Sequence, residues 1–157
     1  MFLFSTYRYM NYALDCANVA FLKKEVPIGA IITCDNNIIA SAHNETITKN
    51  DHTAHAELLV IQKVLQKIDK SLMQKLDLYV TLEPCSMCME IILSTKLRTL
   101  VFGAYDSKGG GINYFKKNSN NYSYNIHYTH LQIIGGVFES KSKKILKNFF
   151  EYCRSKK

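Results

Sequence analysis

No apolar run in this sequence approaches the ~20 residues that a membrane-spanning helix needs. The opening Met-Phe-Leu-Phe is too short for a signal-peptide core and has no basic leader, so a cytoplasmic protein is the expectation. Internal repeats and linkers are missing too, and residues 1–157 read as one domain with room for its own hydrophobic core. Cysteines are too few and too scattered for a disulfide framework. Cys16, Cys34, Cys85, Cys88 and Cys153 make an odd number with one close pair, which suits a reducing compartment. Acidic residues are scarce beside basic ones, thirteen against twenty, for a net charge of +7. Such a surplus fits a polyanionic partner such as nucleic acid, and equally a lysine-coated soluble surface. Seventeen of the twenty cations are lysine, which makes a diffuse field more than an array of arginine forks.

What is present is a globular pattern, with 47% apolar and 21% charged residues. Residues 7–24 place Tyr9, Tyr12, Ala13, Cys16, Ala17 and Ala20 at helical spacing, and Val26-Pro27 ends that helix. Residues 28–34 and 38–43 read as an antiparallel hairpin around Asp35-Asn36-Asn37. A polar loop over 44–51 leads to a helix over 53–69. A short strand (78–81), a helix (86–95) and another strand (99–103) follow, an alternation that implies parallel pairing. Gly109-Gly110-Gly111 and the Asn/Ser/Tyr-rich run after it read as a mobile loop over 109–125. Residues 126–134 supply a last strand. A terminal helix over 139–154 puts Ile145, Leu146, Phe149, Phe150 and Cys153 on one face. The expected fold is α/β, a mixed sheet sandwiched between helices.

The chemistry concentrates in Glu83-Pro-Cys-Ser-Met-Cys88, where an apolar strand runs into two cysteines three apart at a helix start. On a first turn both sulfurs point to one side, and the helix N-terminus favours thiolate. A thioredoxin-like redox pair would lie earlier in the chain with a flanking tryptophan, and this sequence has none. A metal needs more ligands. His55 stands thirty residues upstream, also where a helix begins, and neighbouring helix starts share the C-terminal edge of a parallel sheet. Three protein ligands leave a fourth tetrahedral position to water, the mark of a catalytic zinc; His43, His52, Cys34 or another cysteine would instead close a structural site. Glu57 argues for catalysis. Deep in a helix, residues 55 and 57 would face roughly 200° apart, but at its mouth both reach one site, and a carboxylate beside an activated water is an acid/base group.

His55-Ala-Glu57 followed by Pro84-Cys-Ser-Met-Cys88 matches the zinc nucleoside deaminase signature. The wider sequence resembles the bacterial tRNA-specific adenosine deaminases in Glu25-Val-Pro-Ile-Gly-Ala30, His43-Asn44, Thr53-Ala-His-Ala-Glu57, Leu78 to Cys88, Phe102-Gly-Ala-Tyr-Asp-Ser-Lys-Gly109 and Phe149-Phe150. The resemblance implies a three-layer α/β/α sandwich with about five strands, like that of cytidine deaminases. It also implies one Zn2+ per subunit held by His55, Cys85 and Cys88, Glu57 as the catalytic acid/base, and a homodimer that builds an RNA groove. The implied substrate is the wobble adenosine of a tRNA anticodon, in an arginine tRNA, converted to inosine with release of ammonia. By the same resemblance Asn44 binds the base, Val26 and Pro27 wall the pocket, Asp106 and Lys108 touch the RNA backbone, and Phe149 and Phe150 flank the nucleotide. Departures from the family are His52, Tyr105, the wording of 111–125 and Lys141-Ser142; none removes a catalytic residue. Two other functions fit the residues less well: a deaminase of a free base or nucleotide of the guanine or cytosine type, and a non-enzymatic zinc module that binds RNA.

Overall fold

The computed structural model describes residues 2–112 and 131–156. Its first helix, α1 (Phe2–Leu22), begins five residues before the expected start. Phe4, Tyr7 and Tyr12 on it are largely exposed, so the early turns carry no apolar stripe that would announce them. Tyr7 instead packs on Phe138, with ring centroids 4.9 Å apart. The face expected to be buried is Tyr9, Ala13, Cys16, Ala17 and Ala20; Tyr12, assigned to it from spacing, stays 48% exposed. The helix stops as Lys24 turns left-handed (φ 62°) and the Glu25 N–H reaches back to the Ala20 carbonyl.

The hairpin follows as expected, β1 (Gly29–Cys34) antiparallel to β2 (Asn37–His43). Asp35 and Asn36 both take positive φ, which these two residue types tolerate and which the tight turn needs. The Tyr9 hydroxyl donates to the Asn36 carbonyl at 2.6 Å and ties the turn to α1. Helix α2 (Ala56–Leu65) is shorter at both ends than the periodicity over 53–69 suggests. Thr53 to His55 are extended or turn, and beyond Leu65 the chain re-coils into a 3-10 turn over Lys70–Lys75. The Asp69 carboxylate starts that turn by accepting from the Ser71 N–H at 2.7 Å, a local alternative to continuing the helix. Strand β3 (Asp77–Leu82), helix α3 (Ser86–Ser94) and strand β4 (Thr99–Ala104) form the expected parallel unit. Strand β5 is Gln132–Ile134 and the last helix, α4, is Glu139–Ser155. The earlier part of the expected last strand, and the loop from 113 to 125, lie outside the described residues.

The five strands make one mixed sheet in the order β2-β1-β3-β4-β5, with β1 antiparallel to both neighbours and β3, β4 and β5 parallel. Strand alternation divides the core in two. Ala30, Ile32, Leu78, Val80, Leu100 and Phe102 face α2 and α3, meeting Leu58, Ile61, Met89 and Ile92. Ile31, Tyr79 and Val101 face the other way onto Tyr9, Met10 and Ala13 of α1. Helix α4 joins α1 on that second face, so the molecule is a three-layer α/β/α sandwich. Two glycines let these helices close in. A Cβ at Gly29 would run into the Ala13 carbonyl of α1, and one at Gly103 into the Ser142 hydroxyl of α4. The expected single apolar face of α4 divides: Phe149 is buried, Ile145 and Leu146 are partly covered, and Phe150 (46%) and Cys153 are exposed. Residues 149 and 150 are adjacent and so roughly 100° apart around a helix, too far to share one contact. Among the described residues no helix is long and apolar enough to cross a membrane.

Candidate metal centre and active site

Strands β2 and β3 are both antiparallel to the β1 between them, so they run the same way and end on one edge of the sheet. The chain leaving each enters a helix there, α2 after β2 and α3 after β3. His55 and Cys85 are the residues just outside those helices, with extended backbones (φ −74°, ψ 149° and φ −68°, ψ 171°). Cys88 lies one turn into α3 and is buried. The His55 Nδ1 stands 3.4 Å from the Cys88 Sγ and 3.7 Å from the Cys85 Sγ, and the three donor atoms all lie within 4.8 Å of one another. Tetrahedral coordination at about 2.1 Å to nitrogen and 2.3 Å to sulfur separates N from S by roughly 3.6 Å, so the spacing is that of a metal site. Among the described residues no fourth histidine, cysteine or carboxylate joins the group. His52, three residues earlier, is exposed.

Hydrogen bonding from Cys88 and then from His55 pulls the Cys85 thiol down to about 4, so it is a thiolate at neutral pH. Cys88 is pushed up, first by its hydrogen bond to Cys85 and then by burial. His55 is raised, chiefly by its hydrogen bond to Cys85. Glu57, in the first turn of α2, is 3% exposed. Burial lifts its carboxyl to about 7, against the opposing pull of His55. Its Oε2 has no hydrogen-bond partner among the described residues, unusual for a buried carboxylate oxygen. A borderline-soft N/S/S donor set next to a carboxyl oxygen without a partner fits a metal ion and a polar ligand that Glu57 can touch.

The remaining expected site residues fall into three places. Asn44 is buried at the end of β2; its N–H donates to the Ile28 carbonyl, and its Nδ2 donates to Glu25 Oε2 and Thr46 Oγ1, both at 3.1 Å. Val26 is half-buried and Pro27 buried between Glu25 and β1. Asp106 and Lys108 lie on the loop after β4, where the Lys108 N–H donates to Asp106 Oδ1 at 2.9 Å. Tyr105 next to them is exposed and stands edge-on to Phe102. Phe149 and Phe150 lie on α4, in the layer across the sheet from α2 and α3, with Phe149 packed edge-on against Phe21.

Sequence reasoning missed two buried acids that build this edge, Glu25 and Glu83. The available sign was a carboxylate one or two residues before a proline, in Glu25-Val26-Pro27 and Glu83-Pro84. Glu25 is fully buried and accepts from the Thr48 N–H (2.6 Å), the Ile47 N–H (3.2 Å) and Asn44 Nδ2. Burial alone would raise its carboxyl, but the hydrogen bonds from Thr48, Ile47 and Thr46 outweigh it and hold it below the ordinary value. A carboxyl depressed by folding contributes stability that is present above its unfolded value of ~4.3 and lost as pH falls through the lower folded value. Glu25→Gln is therefore expected to lower unfolding stability by about 3 kcal/mol at pH 7, and by less as acidification approaches pH 3. Urea unfolding of both proteins across that range measures the convergence.

A model of the MafB19-like deaminase family matches residues 4–154. The tRNA-specific adenosine deaminase of Rickettsia felis is 36% identical over 92% of this chain and 100% of its own. That of Agrobacterium fabrum is 38% identical over 93% of this chain and 94% of its own. A solved structure from work on A-to-I editing by tRNA:A34 deaminases is 37% identical, with TM-score 0.72 over 88% of this chain and 98% of its own. The guanine deaminase of Nitrosomonas europaea, at 19% identity and TM-score 0.73, shares the fold. With the His55-x-Glu57 and Pro84-Cys85-x-x-Cys88 residues gathered at one sheet edge, the chain belongs to the tRNA-specific adenosine deaminases of the MafB19-like deaminase family.

Proposed function

We propose that this protein hydrolytically deaminates the wobble adenosine of a tRNA anticodon to inosine, in an arginine tRNA, with one zinc ion per chain held by His55, Cys85 and Cys88. The observation that carries the reading is the buried Glu57 carboxyl, with an oxygen that has no partner among the described residues, beside three convergent side chains of metal-binding type. When bound, zinc supplies Lewis-acid activation of water near neutral pH. Glu57 takes a proton from the attacking water and delivers it to N1 of the adenine. It then carries the second proton to the departing amine, so that adenosine and water become inosine and ammonia. A carboxyl lifted to about 7 by burial exchanges protons readily in both directions at neutral pH. Asn44, held by Glu25, and Val26 with Pro27 form one wall of the base pocket. Asp106, Lys108 and the exposed Phe150 contact the RNA, while Phe149, buried against Phe21, supports that helix from inside, and a homodimer completes the groove. The net charge of +7 suits a polyanionic substrate in the cytoplasm.

The direct test incubates the purified protein with a transcript of an arginine tRNA carrying wobble adenosine and sequences the reverse-transcribed product. The expected result is guanosine read at the wobble position, with ammonia released in equal amount. Deamination of free guanine or cytidine, with none on the tRNA, overturns the reading.

A further inference from the structure

We propose that Glu83 is a positioning residue for RNA recognition, docking the loop 106–112 onto the turn that carries the Cys85 metal ligand; this rests on the deaminase reading above. Glu83 lies just beyond β3, two residues before Cys85, and is 4% exposed. Its two oxygens are used separately, Oε2 accepting from the Asp106 N–H at 3.0 Å and Oε1 from the Ile112 N–H at 3.3 Å. No ion pair to it occurs among the described residues; the two backbone N–H groups at the ends of the loop satisfy its two buried oxygens.

Between those ends the loop lies against the ligand turn. The Gly111 N–H donates to the Pro84 carbonyl at 2.8 Å, and Gly110 pairs with Cys85 as an isolated bridge. The fit tolerates no side chain, since a Cβ at Gly110 would stand 2.5 Å from the Glu83 carboxyl. Asp106 and Lys108, the residues that meet the RNA backbone in the proposed function, therefore move with Cys85 as one unit. A carboxylate is required there: a glutamine has one acceptor oxygen, and its amide hydrogens would face the second N–H. The known reaction needs the target base and the metal site in fixed register, and Glu83 sets it from beneath without touching either.

Glu83→Gln in the full chain tests this on an anticodon stem-loop bearing wobble adenosine, with metal content and backbone amide exchange measured in parallel. The expected result is a metal content equal to wild type, a KM raised about tenfold with kcat changed less than about threefold, and faster exchange at the Asp106 and Ile112 amides. Gly110→Ala, which pushes the loop off the carboxyl from the other side, is expected to raise KM alike, and the double variant no further than the worse single one. An unchanged KM overturns the proposal, as does a fall of kcat together with metal content, which would confine Glu83 to holding the ligand turn. Were wild type inactive on this RNA, the functional reading would fall by itself, and unchanged exchange at residues 106 and 112 would still refute the docking.

Discussion

Glu57→Gln is expected to reduce deamination by about 10²–10⁴-fold while metal content and unfolding temperature stay near wild type. The carboxamide has nearly the same shape, so the first turn of α2 keeps its packing. What it loses is the ability to take a proton from water and return it. Glu57 is buried, one oxygen has no hydrogen-bond partner among the described residues, and burial raises its carboxyl to about 7. In an ordinary exposed acid the same substitution would change little. Single-turnover rates with an anticodon stem-loop, and metal analysis of the same preparation, separate lost chemistry from lost metal. Activity within about tenfold of wild type would remove Glu57 from the mechanism.

The second large effect is expected at the metal ligands. His55→Ala should drop bound zinc from one per chain to a small fraction and take deamination below detection. Chelation of wild type should do the same, and added zinc should restore only the wild type. Stability should fall as well, because His55 and Cys85 sit at the mouths of two different helices and Cys88 one turn inside α3. A ligand shared by those segments adds RT ln(1 + [L]/Kd) to the folded state, about 4 kcal/mol at a thousandfold excess over Kd. Metal content and thermal unfolding with and without chelator measure both consequences. A variant that kept full zinc would show that His55 is not a ligand and would dismantle the site.

The elements were largely legible because their signals are local. The hairpin is announced by Asp35-Asn36-Asn37, and both β1 and β2 lie within one residue of their expected starts. The errors have physical causes as well. No apolar stripe marks the start of α1, where Phe4 and Tyr7 are exposed, and the periodicity over 53–69 outruns α2, which stops at Leu65 before the turn that Asp69 caps. Tyr12 shares the helical spacing of Ala13, and Phe150 follows Phe149, yet both are exposed while Ala13 and Phe149 are buried.

The deaminase signature, the family and the set of candidate ligands came from the sequence by itself, since those rest on residue types at short spacing. Tertiary structure decided that no second histidine joins His55 and the thiols among the described residues, and what surrounds each acid. His52 and His55 are three residues apart, yet one is in solvent and the other 3.4 Å from Cys88, because β1 runs antiparallel between β2 and β3 and brings the mouths of α2 and α3 to one edge. Glu25, Glu57 and Glu83 are the same letter in the sequence. Only burial and the number of N–H groups aimed at each make one a loop anchor with a depressed proton affinity, one a buried carboxyl lifted to about 7 and one the acceptor of two N–H groups from a neighbouring loop.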